Sequence, residues 1–208
     1  MSDYTFDAEA AKQADSGNGR INETGKYIGV FTVAKKVTSQ KGTNGIEFSF
    51  KSENGKNADY LTMWTVNAAG EQIYGYKQLM SLMRCIRAKE LTAQKAEIEE
   101  YDKTANGMVT RTADVYQALM NKPIGVLLQM EEYAKKDGSI GEKPSFAGFF
   151  DAKTGQVAIE LIENSDAKIL EKMEAQLVPI KKLKGARPTS QSYGNTSAAM
   201  PDDWDVNF

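Results

Sequence analysis

Apolar and polar side chains alternate in three short segments of the first third of the chain. Residues 26–37 are rich in β-branched and aromatic side chains, residues 46–51 alternate strictly, and residues 59–66 repeat the pattern. Glycine- and asparagine-rich stretches separate the three segments, as is typical of turns. The pattern predicts three strands in meander order.

A helical period follows the third strand. Within residues 71–91, apolar side chains recur close to every 3.6 residues, and this spacing predicts an amphipathic helix that covers the sheet. The apolar positions are Ile73, Tyr76, Leu79, Met80, Met83, Ile86 and Leu91.

The second half of the chain mixes strand and helix composition. Residues 92–107 are highly charged and are predicted to be partly exposed, and residues 112–120 predict a short helix with a Thr or Asp cap. Strand composition returns at residues 122–133. Two further strand segments, divided by a turn, are predicted within residues 143–162, and a closing helix within residues 165–177.

The predicted core order is strand–strand–strand–helix–strand–strand. This is the element order of the OB-fold, a partly closed five-stranded barrel that commonly binds oligonucleotides, although other small barrels share it. We therefore predict a mainly β fold, a five-stranded OB-type β-barrel with accessory helices and a helix between the third and fourth strands. The predicted parts are an N-terminal segment (1–24), the OB-fold domain with inserts (25–184), and a disordered linker with an acidic tail (185–208).

The charge of the chain is unevenly distributed. The whole chain carries −2, but residues 20–95 hold 12 Lys and Arg against 6 Asp and Glu, a net charge of +6. Such a basic block attracts polyanions, and it also fits an ordinary soluble surface. The sequence lacks an apolar run of membrane-spanning length and begins without a signal peptide pattern. We therefore expect a cytoplasmic protein with no membrane association.

Catalytic chemistry is poorly represented. The chain contains no histidine and one cysteine, Cys85, which is predicted to be a buried helix residue. Without histidine and with a single cysteine, the chain cannot form a Ser–His or Cys–His catalytic pair, nor a zinc site made of several thiolates. A carboxylate cluster could hold Mg²⁺ for phosphodiester cleavage, but a charge run is usually a solvated surface. The carboxylates of this cluster are Glu97, Glu99, Glu100 and Asp102. We expect no enzyme activity, no cofactor and no metal.

Strand alternation predicts an exposed aromatic and basic surface. Phe48 and Phe50 are assigned to the core, whereas Tyr60 and Trp64 alternate with inward-facing neighbours and point outward. Single-stranded nucleic acid needs such a surface, because bases stack on aromatic rings while lysines and arginines contact phosphates. A second packed layer over the same rings is the alternative. The predicted single-stranded DNA-binding residues are Tyr27, Phe31, Lys35, Lys51, Tyr60, Trp64, Arg84 and Arg87.

The last residues, "MPDDWDVNF", follow a polar tether and end in an aromatic side chain. This end resembles the C-terminal tail of single-stranded DNA-binding proteins (SSBs), which pair an OB-fold with a flexible linker and an acidic peptide ending in Phe. The tether and inserts are more similar to the SSBs of tailed phages, whose setting would be the host cell cytoplasm. The usual bacterial tip has Pro before the Phe, and Asn207 stands here. The resemblance implies a tail that recruits replication and recombination proteins through Asp202, Asp203, Trp204, Asp205 and Phe208.

The sequence therefore favours a protein that coats single-stranded DNA without strong sequence preference, in replication, recombination and repair. The first alternative is an adaptor or structural virion protein with an OB-like barrel and a docking peptide. A Mg²⁺-dependent nuclease is the second alternative. The oligomeric state is left open.

Overall fold

The computed structural model describes Thr5 and residues 19–102, 104, 106–135 and 137–183. Strand and isolated-bridge residues make up 48% of the described residues, so the fold is mainly β, as predicted. The described residues form one sheet of seven antiparallel strands instead of the five predicted. The strands are β1 (Gly25–Thr38), β2 (Asn44–Ser52), β3 (Asn57–Val66), β4 (Gln94–Asp102), β5 (Gly107–Val115), β6 (Pro123–Ala134) and β7 (Ile140–Phe150).

Strand β1 organises the sheet. One edge of β1 pairs with β2 along most of its length, and β2 pairs in turn with β3. The other edge of β1 is shared: its first half pairs with β6, which continues to β7, and near its end Lys35 pairs with Val115 of β5. Strand β7 also lies close to β3. The predicted meander of the first three strands is confirmed.

The β4–β5 hairpin is the largest departure from the sequence prediction. The helix predicted at residues 112–120 is wrong, because β5 runs to Val115 and only a 3-10 turn, Gln117–Leu119, follows it. The tip contains Asn106 with a φ of 48°, in the left-handed region, directly before Gly107. Asn-Gly favours a turn at this point, and in β4 the buried Ile98 alternates with the exposed Glu97 and Glu99 as a strand requires.

The described residues also form three helices: α1 (Tyr74–Cys85), α2 (Ala158–Glu163) and α3 (Ile169–Ala175). The helix predicted after the third strand and the closing helix are confirmed, and both are shorter than predicted. The strand predicted at residues 157–162 is wrong, because this segment forms α2. The buried Glu160 carboxylate accepts N–H groups of Val157 (2.9 Å), Lys168 (2.6 Å) and Ile169 (2.8 Å). These bonds stabilise the start of α2 and the loop to α3 against the β-propensity of the segment.

None of the described helices could cross a membrane; the longest, α1, has 12 residues. A membrane span needs about 20 apolar residues.

The main core lies between the sheet and α1. Five phenylalanine rings meet there, with centroids 4.6 to 5.9 Å apart, a separation at which tilted and edge-to-face pairs are favourable. The core positions predicted for two of them are confirmed. The rings belong to Phe31, Phe48, Phe50, Phe146 and Phe149.

A second, smaller apolar cluster covers the opposite face of part of the sheet. Leu127, Phe150 and Val157 are buried there, and α3 packs on them. Ile28 of β1 joins this cluster, so the first half of β1 is covered on both faces. Helix α3 therefore covers the first half of β1 on the side away from the main core, whereas Val33 and Lys35 in the second half are partly exposed.

Candidate nucleic-acid interface

The outer face of β3 carries two exposed aromatic rings. Leu61 and Met63 are buried in the core, whereas Tyr60 and Trp64 are 54% and 37% exposed. The outward orientation predicted for the two aromatic residues is confirmed. The indole of Trp64 lies over Gly45 of β2, where a Cβ atom would come within 2.8 Å of the ring. The same Cβ atom would come within 2.5 Å of the Met63 carbonyl oxygen, so this close approach of β2 and β3 requires a glycine.

The outward orientation predicted for Phe31 is wrong. Its side chain is fully buried, with its ring centroid 4.6 Å from that of Phe48. Tyr27 shares this face of β1, and its half-buried ring packs on the same core. A bulge between Phe31 and Val33 then shifts the alternation, so that Val33 and Lys35 face outward. The prediction that Tyr27, Phe31 and Lys35 belong to one outward surface is therefore wrong for Tyr27 and Phe31, before the bulge, and correct for Lys35, after it.

A cleft of about 110 Å³ separates this outer face from the β4–β5 hairpin. Tyr60 and Ser49 line the sheet side, and Tyr101 and Met108 line the hairpin side. Tyr101 and Met108 are themselves 47% and 62% exposed. The opening is thus bordered by flat or flexible apolar side chains from both sides, which can contact the two faces of a planar ring.

Lys35 connects the sheet to the hairpin inside this cleft. Its ammonium lies 3.0 Å from Glu47 Oε1 on β2 and donates a hydrogen bond of 2.7 Å to Glu100 Oε2 on β4. Burial by itself would lower the pKa of Lys35, but the hydrogen bonds to Glu100 and Glu47 outweigh burial and raise the pKa. Lys35 is therefore charged, and two carboxylates already neutralise it.

The lining of the cleft is acidic overall. Two cationic side chains face four carboxylates, which gives the lining a formal charge of −2. A phosphate group inside the cleft would be repelled, whereas a neutral ring with polar edges would find both hydrogen-bond acceptors and donors. The charged lining residues are Arg20, Lys35, Glu47, Asp59, Glu99 and Glu100.

The remaining predicted basic residues lie at different places. Lys51 is exposed and points to the same side of β2 as Ser49, so it lies beside the cleft. The Arg84 guanidinium donates a hydrogen bond to the carbonyl of Leu161 on α2. Arg87 follows α1, and its side chain is 75% exposed and 3.6 Å from Asp151. Lys35 and Tyr60 thus line the cleft, Lys51 and Trp64 lie on the same outer face outside it, and Arg84 and Arg87 lie at the end of α1.

Sequence reasoning missed the hairpin side of the cleft. Ile98 is buried at the cleft and alternates with the exposed Glu97 and Glu99, the period-2 pattern of a half-buried strand. That alternation, followed by Asn-Gly at the tip, was the available signal. Tyr101 and Met108 could then have been placed opposite each other near the tip, where the register pairs them.

The described residues contain neither a cluster of metal ligands nor a reactive cysteine. No three of their His, Cys, Asp or Glu side chains are grouped closely enough to hold a metal ion. Cys85 is buried, as predicted, and burial raises the pKa of its thiol to about 12. A reactive thiolate is therefore not available at neutral pH.

The acidic tail and most of the N-terminal segment lie outside the described residues, and the structure bears on neither. No protein-family model matches the chain, and no curated protein matches it. The site geometry is therefore the basis for a functional argument.

Proposed function

We propose that this protein binds single-stranded DNA without strong sequence preference, through the outer face of an OB-type barrel. The single observation that carries the proposal is the pair of exposed rings, Tyr60 and Trp64, on a strand whose alternate residues are in the core. Stacking on such rings contributes about 1–3 kcal/mol per base, and it tolerates any sequence because every base has a π-face.

The strand pairing supports the OB-type part of the proposal. If the β4–β5 hairpin is treated as an insertion, the remaining strands follow the order β3-β2-β1-β6-β7, with α1 between the third and fourth of them in sequence. The proximity of β7 to β3 is what closure of a five-stranded barrel requires. OB-folds bind oligonucleotides on the face formed by their second and third strands, and this face carries Tyr60 and Trp64.

The charges around the cleft suggest how single-stranded DNA would be oriented on the protein. Bases would enter the acidic cleft beside Tyr60 and Tyr101, since neutral rings are not repelled by carboxylates. Phosphates would remain outside, near exposed cations such as Lys51. A duplex keeps its bases paired and stacked, so it could not insert them and should bind much more weakly.

The tail belongs to the same proposal. Its resemblance to SSB tails supports recruitment of replication, recombination and repair proteins by residues 201–208, in the cytoplasm of a phage-infected host. The segment leading to the tail lies along β6, where the N–H of Lys181 donates to the carbonyl of Met130 at 2.8 Å. A chain ending at residue 200 should still bind DNA but should no longer capture replication proteins. If it captures the same replication proteins as the full chain, the proposed role of the tail is wrong.

Fluorescence anisotropy tests the binding proposal. Labelled oligothymidine, a mixed-sequence single strand and a duplex of equal length are titrated with the full chain, with and without Mg²⁺. We expect both single strands to bind similarly and the duplex far more weakly. Absence of binding to all three would favour the adaptor alternative, and Mg²⁺-dependent shortening of the strand would favour the nuclease.

A further inference from the structure

A second pocket, of about 220 Å³, lies at the C-terminal end of α1 and is basic. Arg87, Lys122 and Lys153 line it, against one carboxylate, Asp151. Asp151 Oδ1 accepts backbone N–H groups of Lys153 (2.9 Å) and Thr154 (3.0 Å), and Oδ2 is 3.6 Å from the Arg87 guanidinium. This basic pocket therefore has a formal charge of +2, opposite in sign to that of the cleft.

The backbone at Arg87 gives an independent reason to assign a role to its side chain. Arg87 has a φ of 59°, in the left-handed region, directly after the residue that caps α1. Glycine is the preferred residue at this position of a helix end, because any Cβ atom is disfavoured there. An arginine whose guanidinium is 75% exposed adds little packing to offset that disadvantage. A ligand for the guanidinium would account for an arginine at this position.

The strand register links the basic pocket to the cleft. Val30 of β1 pairs with Lys51 of β2 on one side and with Pro123 of β6 on the other. Pro123 lines the basic pocket, and Lys51 lies beside the cleft. Paired residues on neighbouring strands are about 5 Å apart, so only about 10 Å of sheet separates Lys51 from Pro123. The two sites thus lie along one continuous stretch of surface.

We infer that the basic pocket is a second phosphate-binding site, which holds a phosphodiester group of the strand after it leaves the cleft past Lys51. This inference rests on the proposed function and adds a direction to it. The bound DNA crosses β2, β1 and β6 towards the end of α1. Arg87, Lys122 and Lys153 supply the cationic donors. The cleft holds bases, and the basic pocket holds backbone.

Oligonucleotide length separates the two sites. Oligothymidines of about 4 and about 16 nucleotides mark the two ends of the range of site sizes of OB-folds. A strand of about 4 nucleotides with its bases in the cleft has little length left to reach the basic pocket, whereas the longer strand can fill both sites. The variant is Arg87→Gly, which removes the cation and relieves the left-handed backbone, so it should melt at the same or a higher temperature than the natural chain. Lys172→Gln, on the exposed side of α3, is the control for loss of one positive charge.

We expect Arg87→Gly to weaken binding of the longer strand several-fold and to leave the shorter one unchanged. The slope of log affinity against log salt for the longer strand should fall by roughly 0.7 for the one phosphate lost. Lys122→Gln should reproduce the effect, and Lys172→Gln should not. Equal losses at both lengths, or no loss at the longer length, would overturn the second site and leave the proposed function intact. If the natural chain binds neither strand, the proposed function itself fails.

Discussion

Tyr60 is the residue on which the proposed interface depends most. Its ring is exposed at the cleft, and its backbone has a φ of 60°, which is unusual for a bulky side chain. Strain of this kind clusters at functional sites. We expect Tyr60→Ala to reduce single-strand affinity by about 1–3 kcal/mol, the contribution of one stacked base, without lowering the melting temperature. Anisotropy measures the affinity and thermal melting measures the stability. Ile162→Ala, at an exposed position on α2, is the control.

Phe31 should respond in the opposite way, because its ring fills the core among other phenylalanines. Phe31→Ala leaves a cavity, and such truncations reduce the free energy of unfolding by about 3–5 kcal/mol. Urea denaturation of the variant measures this loss. A Phe31→Ala variant with normal stability and weakened DNA binding would show that the ring faces outward after all.

At the scale of elements, the β4–β5 hairpin is held against the sheet by the Lys35–Glu100 ion pair. Glu100 Oε1 is also 3.5 Å from Arg111 Nε on β5. The carboxylate at 2.7 Å from Lys35 accepts a hydrogen bond that a base carbonyl in the cleft could otherwise accept, so the hairpin competes with DNA for this cation. Releasing Lys35 should therefore strengthen binding.

The variant that tests this competition is Glu100→Gln. We expect tighter binding of oligothymidine, because Lys35 without Glu100 can donate to a base carbonyl, and an unchanged salt slope, because no phosphate contact is gained. Glu97→Gln removes the same charge from an exposed position on β4 that is not part of the Lys35 ion pairs, so it serves as the control. Equal effects of the two variants would mean that net charge alone is responsible.

The elements also show what the sequence could predict. Strands β1 to β3 and helix α1 follow from alternation and a 3.6-residue period, because each element is apolar on one side. The β4–β5 hairpin was missed because its charged residues resembled a solvated segment, although Ile98 and Asn106 carried the relevant pattern. Helix α2 was mistaken for a strand because its apolar residues have β-propensity, while the deciding hydrogen bonds come to Glu160 from a loop further along the chain.

At the scale of the whole molecule, the sequence could separate two faces of each strand but could not tell which face is covered. Ile28 and Phe31 lie on opposite faces of β1, and both are packed, since α3 covers one face and α1 lies across the core on the other. Only the partly exposed second half of β1 contributes to the cleft. The acidic lining was also beyond prediction, because Lys35 meets Glu100 across a separation of 65 residues.

Bases that stack on the outer face of β3 would contact the exposed Trp64 indole, so the fluorescence of Trp64 reports stacking. The chain has two tryptophans, so a Trp204→Phe variant leaves Trp64 as the only indole. The variant is titrated with oligothymidine and with a duplex of equal length, while anisotropy reports saturation. Our account predicts saturable quenching of Trp64 by the single strand and little change with the duplex. Unchanged emission at saturating single strand, or equal quenching by the duplex, would contradict it.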